Sequence, residues 1–153
     1  MPPEFLSVFE GKFGLRLLEG YGLTEASPVC SFNRPEIITK PGSIGLPIQG
    51  VEIKIVDHDG RELPRNEIGE LIVKGDNVMK GYYNNEAATA AVIKDGWLHT
   101  GDLGRMDEEG YIFLTGLKKR MIITSGFNVY PREVETVLKN HPMVNAAHVE
   151  GKK

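Results

Sequence analysis

Phe5, Leu6, Val8, Phe9 and Phe13 recur at the spacing of one helical face and Gly14 follows them, so residues 3–14 are predicted to form a short helix. Leu15-Arg16-Leu17-Leu18 then reads as a buried strand running into a glycine tract, Gly20-Tyr21-Gly22. One helix and one strand cannot bury a core alone, so this opening is expected to complete an α/β unit begun upstream. From about Lys40 the pattern changes. Val51 to Val56 alternates apolar and polar residues and ends at a turn, Asp57-His58-Asp59-Gly60. Ile68 to Lys74 and Tyr111 to Leu114 read as further strands, the latter entered through Asp107-Glu108-Glu109-Gly110. Short strands divided by turn signals predict a small barrel or sandwich. A helix over Ala87–Ile93 interrupts them, capped by Asn84 or Asn85 and stopped by Asp95-Gly96.

Beyond Gly116 comes a polar joint, Leu117-Lys118-Lys119-Arg120, and a strand over Met121–Ile123. Pro131 suits the first position of a helix, with Glu133 and Glu135 near its positive end. Val134, Val137 and Leu138 give that helix an apolar stripe, and His141-Pro142 ends it. Val144 to Val149 is predicted to begin a strand without a partner, so this end too is expected to continue into further structure. No internal repeat or low-complexity segment is visible.

Composition narrows the function classes. Of 153 residues, 41% are hydrophobic and 25% charged, which fits a soluble globular protein. Net charge is −3 and the basic residues form no long stripe, which argues against nucleic-acid binding by phosphate neutralisation. No apolar run approaches the roughly 20 residues that span a bilayer. The opening residues carry no secretory signal pattern, and one cysteine excludes an internal disulfide, so a cytoplasmic location is expected. Cys30 itself reads as a small buried hydrophobe.

Two tracts carry the candidate chemistry. Gly20-Tyr21-Gly22-Leu23-Thr24-Glu25 and Thr100-Gly101-Asp102-Leu103-Gly104 each set one carboxylate among glycines, where no side chain shields the backbone from a close ligand. Either alone reads as a turn; together, with a third glycine-marked tract from Gly116 to Pro131, they suggest a site. Trp97 reads as packing, and His99 as a structural histidine with no identifiable partner.

Tyr21-Gly22-Leu23-Thr24-Glu25, Gly69-Glu70-Leu71 leading to Gly81-Tyr82, Gly96-Trp97 through Gly104, and Gly126-Phe127-Asn128-Val129-Tyr130-Pro131 with Glu133-Val134-Glu135 resemble, in order, the core motifs of adenylate-forming enzymes. Their wording is most similar to fatty-acyl-CoA synthetases of the long-chain-fatty-acid–CoA ligase type. The resemblance implies a mixed α/β fragment: residues 1–39 as the end of a large α/β domain, 40–116 as a distorted β-barrel, and 117–153 as the hinge and first half of a small α+β lid. It also implies an enzyme that joins a carboxylic acid, here a fatty acid, to ATP with pyrophosphate release, then passes the acyl group to the thiol of coenzyme A. Under it, Thr24 reaches the α-phosphate and Glu25 holds Mg²⁺, as the two catalytic positions. Tyr21 and Gly22 face the adenine, Asp102 accepts the ribose hydroxyls, Lys119 is the hinge, and Gly126 borders the coenzyme A channel. The family's phosphate loop and lid lysine match nothing in these residues, so the chain alone is expected to be inactive and, with apolar surface exposed, to self-associate.

One departure stands out. Where the resemblance calls for an arginine two residues before the hinge, this chain has Leu117, so either Lys118 or Arg120 substitutes for it or nucleotide binding is impaired. An aryl-CoA ligase, another adenylate-forming enzyme, and a non-catalytic nucleotide-binding module are the alternative readings.

Overall fold

The computed structural model describes residues 3–124 and 127–152. Its centre is a curled antiparallel sheet. Strand β4 (Val51–Val56) pairs with β5 (Gly69–Gly75), and β5 pairs with the ten-residue β7 (Trp97–Met106). The other edge of β7 is shared: β6 (Ile93–Lys94) takes its first residues and β8 (Ile112–Leu117) its last. Alternation in β4 sends Val51, Ile53 and Ile55 inward, where they meet Leu71 and Val73 of β5, Leu98 and Met106 of β7, and Ile112 of β8. A smaller sheet, β1 (Gly20–Gly22), β2 (Val29–Phe32) and β3 (Leu46–Pro47), closes over one end and adds Ala26 and Cys30 to that core. Burial pushes the Cys30 thiol up to about 11, as its reading as a hydrophobe implies.

Helix α2 (Glu86–Val92) is capped by Asn85, whose Oδ1 accepts the Ala88 amide at 3.0 Å. It hands over to β6, and the turn Asp95-Gly96 has positive φ at both residues (51° and 79°), which twists the β6–β7 hairpin correctly. Asp95-Gly96 therefore ends a hairpin strand rather than the helix itself. After β8 come a short 3₁₀ turn (Lys118–Arg120), a two-stranded ribbon of β9 (Ile122–Thr124) and β10 (Phe127–Val129), and helix α3 (Pro131–Lys139). Pro131 does open α3.

Two strand expectations also fail. Helix α1 (Pro3–Phe13) forms and Gly14 closes it, but Leu15–Leu18 is not a strand. No ladder partner lies beside it among the described residues, and Leu15 is exposed. Val144–Val149 is irregular for the same reason, its Val149 amide bonding instead to Glu135 Oε1 at 3.0 Å. The apolar stripe Val134, Val137, Leu138 is present on α3, on an exposed face, while Pro131 and Glu135 are the residues that helix buries.

Candidate functional site

A bulge in strand β7 interrupts its pairing with β5 at Asp102. Between the pairs Glu70↔Leu103 and Ile72↔His99, β5 advances by two residues while β7 advances by four, so Thr100, Gly101 and Asp102 form a bulge. Gly101 sits there at φ +74°, and the bulge's backbone is satisfied locally. Thr100 Oγ1 donates to the Leu71 carbonyl (2.9 Å) and accepts the Asp102 amide (3.1 Å), while Glu70 Oε1 accepts the Gly101 amide (3.2 Å).

Onto this bulge comes Tyr21, eighty-one residues away in the chain. Its hydroxyl donates to Asp102 Oδ2 at 2.6 Å. Burial, then the bond to Asp102, drives the phenol well above its usual range, so it stays a neutral donor. Gly22 follows in a β1–β2 irregularity where a Cβ would stand 1.7 Å from the Pro28 carbonyl oxygen, so only glycine fits. Thr24 and Glu25 then lie in a 3₁₀ turn (Thr24–Ala26) closed by Ser27 in the left-handed region. Thr24 is exposed. Glu25 Oε1 accepts the Tyr82 hydroxyl at 2.8 Å. The loop is stapled from the 76–83 segment, where Met79 N donates to the Glu25 carbonyl and Asn77 Nδ2 to the carbonyls of Ala26 and Val29.

On its other side Asp102 borders a cleft of about 160 Å³ that also involves Leu117, Arg120, Tyr130 and Arg132. Leu117 is its direct ladder neighbour on β8. Tyr21, Gly22, Thr24 and Glu25 are not part of that cleft, so the two sides of Asp102 face different surroundings. Lys119 is exposed in the 3₁₀ turn between two anchored neighbours: Lys118 Nζ bonds Glu70 Oε2 at 2.8 Å, and Arg120 Nη2 bonds Glu135 Oε1 at 2.6 Å. Gly126 lies outside the described residues.

Glu70 is the residue that sequence reasoning passed over. A glutamate inside an apolar strand is costly unless paired, and that was its signal. It is buried, and His99 Nδ1 lies 3.1 Å from its Oε2, which supplies the partner His99 lacked in sequence. Burial alone would raise the Glu70 carboxyl, but bonds from Lys118 and His99 outweigh it and hold it below the usual range. A group depressed on folding stabilises the fold above its unfolded pKa and stops doing so as the pH falls through its folded value. Thermal melts are therefore expected to decline on acidification below the ordinary carboxylate range. Glu70→Gln should make that decline shallower. The side chains of Asp57, His58 and Asp59 also cluster, but at an exposed turn where Asp57 Oδ1 is already taken by the Asp59 and Arg61 amides.

Residues 1–83, more than half of the chain, match the AMP-binding enzyme family. The chain belongs to that family. A relative among AMP-binding enzymes, the long-chain-fatty-acid–CoA ligase of Escherichia coli O6:H1, is 51% identical over 90% of this chain and 25% of its own length. The 2-succinylbenzoate–CoA ligase of Bacillus cytotoxicus is 43% identical over 91% of this chain and 29% of its own. The chain thus spans between a quarter and a third of the curated relatives it matches. Among solved structures, MatB from Rhodopseudomonas palustris superposes over 97% of this chain and 30% of its own, with TM-score 0.90 when ATP is bound (38% identity) and 0.80 in the apo form (39%). The mixed α/β fold follows the same family, and no described helix is long and apolar enough to cross a membrane.

Proposed function

We propose that the chain is the C-terminal part of an acid–thiol ligase that activates a fatty acid as acyl-AMP, with release of pyrophosphate from ATP, and transfers the acyl group to coenzyme A. The observation that carries this reading is the 2.6 Å bond from Tyr21 to Asp102, which joins two distant glycine-marked tracts in a member of the AMP-binding family. In it, Asp102 accepts the ribose hydroxyls. Its Oδ2 already serves Tyr21, but a carboxylate has about four lone-pair sites and can take more. Tyr21 offers a ring face to the adenine, and Gly22, pressed against the Pro28 carbonyl, sets the backbone beside it as the second adenine-facing residue.

Thr24 and Glu25 act on the phosphates. The Glu25 carboxylate spends one oxygen on Tyr82, and its hard-oxygen chemistry fits a Mg²⁺ ion held otherwise by phosphate oxygens and water. When bound, Mg²⁺ neutralises phosphate charge; Glu25 would hold it. Lys119 is the hinge between a barrel spanning 40–116, which follows the end of an α/β domain at 1–39, and a lid beginning at 117. Its neighbours Lys118 and Arg120, tied to opposite sides, suit that role. Gly126 borders the coenzyme A channel. The 153 residues alone lack the positioning and charge stabilisation contributed by the rest of the enzyme and carry out no adenylation.

The test is pyrophosphate release by the full-length protein, requiring both ATP and a fatty acid. Turnover of aryl acids with no release across fatty chain lengths would move the substrate to the class of the 2-succinylbenzoate ligases, which at 43% identity are the second reading.

A further inference from the structure

Among the described residues, Thr100 and Gly101 have no ladder partner on either edge of β7, and Asp102 has one only on β8. Backbone freed from its ladder keeps a fixed shape only when its polar groups are met in another way. Packing gives Gly101 no support where a Cβ would stand, since nothing lies within 4 Å of that point. Its amide is met by Glu70 Oε1 at 3.2 Å. The other oxygen of that buried carboxylate takes His99 Nδ1 at 3.1 Å and Lys118 Nζ at 2.8 Å. One side chain of β5 thus grips β7 at residues 99 and 101, immediately before Asp102.

An ion pair alone does not account for an acid at this position. Apolar side chains at 70 and 118 would serve stability about as well as a buried pair does. None of them could accept the Gly101 amide. We infer that Glu70 is a positioning residue for Asp102: by holding the Gly101 amide it fixes the bulge from which the Asp102 carboxylate meets Tyr21.

This rests on the adenylate reading and deepens it. Glu70 touches no substrate. It acts through Asp102, so its effect on a ligand lasts only while Asp102 binds that ligand.

Calorimetry of adenosine binding to the full-length protein tests this with two variants that divide the functions of Glu70. Glu70→Gln keeps the length of the side chain and an oxygen for the Gly101 amide, but loses the charge that pairs with Lys118. Glu70→Asp keeps the charge, but is one methylene too short to serve Gly101 and Lys118 together. Glu70→Asp should raise the adenosine dissociation constant about three- to ten-fold, the scale set by the net worth of one hydrogen bond. Glu70→Gln should leave it near the wild-type value. A residue that mattered only to stability would order the two the other way, because glutamine gives up the ion pair. In an Asp102→Asn background Glu70→Asp should cost little further, since groups that act through one another are not additive. Glu70→Met, of similar length and without an acceptor, replaces Glu70→Asp if the shorter acid fails to fold. Affinity lost in Glu70→Gln, kept in Glu70→Asp, or reduced equally with and without Asp102→Asn overturns the positioning role and leaves that of Asp102 standing. Wild-type protein that does not bind adenosine overturns the adenylate reading, and this inference with it.

Discussion

Asp102→Asn is expected to weaken AMP binding by the full-length protein roughly 10- to 100-fold, because a hydrogen bond to a charged group contributes about 1.5–3 kcal/mol. Both ribose hydroxyls need acceptors, and the carboxamide replaces one of the two acceptor oxygens with a donor. The fold should survive, since the remaining amide oxygen can still accept the Tyr21 hydroxyl that now bonds Oδ2 at 2.6 Å. Adenosine binding should fall by a similar factor, because both ligands carry the same ribose. Titration calorimetry of both ligands against wild type and variant checks the expectation; unchanged affinity would mean that the bulge at 100–102 is only a structural feature of β7.

Leu71→Ala is expected to destabilise the chain by about 2–5 kcal/mol, the range for emptying a buried leucine site. Leu71 is fully buried in β5, between β4 and β7, and its Cδ1 fills the space above Gly104. Backbone on either side is fixed by the ladders, so the space cannot close. Leu71→Met, which nearly conserves volume, should cost under about 1.5 kcal/mol. Urea denaturation of the three proteins measures this, with a lower midpoint for the alanine variant and a similar slope. A midpoint unaffected by Leu71→Ala would show that the core does not centre on β5.

What could be read from the residues divides by how local the cause is. The alternation in Val51–Val56, the cap at Asn85 and Pro131 at the head of α3 are local, and each appears where expected. Leu15–Leu18 and Val144–Val149 have strand composition but no neighbour to pair with, and strand composition is not a strand. The converse error is β7. Four polar or charged residues and two glycines after Trp97-Leu98 hide a ten-residue strand, because strands on both of its edges, not its own propensity, make it one. β2 was missed for the same reason.

The site shows the same division. Glycine tracts and their acids were legible because glycine leaves the backbone bare beside each carboxylate and the tracts recur. That Tyr21 and Asp102 touch was not, since it depends on β1 packing across the end of the central sheet. Nor was the fate of the joint, where Lys118 and Arg120 find Glu70 and Glu135 on different elements. Tyr82 entered the resemblance without a role, and the structure gives it one as the donor to Glu25.

The most direct measurement is a crystal structure of the full-length protein with AMP. The adenine should lie against Tyr21 and the ribose hydroxyls within hydrogen-bond distance of the Asp102 carboxylate. AMP bound elsewhere, with Tyr21 and Asp102 still joined but touching nothing of the nucleotide, would contradict the account.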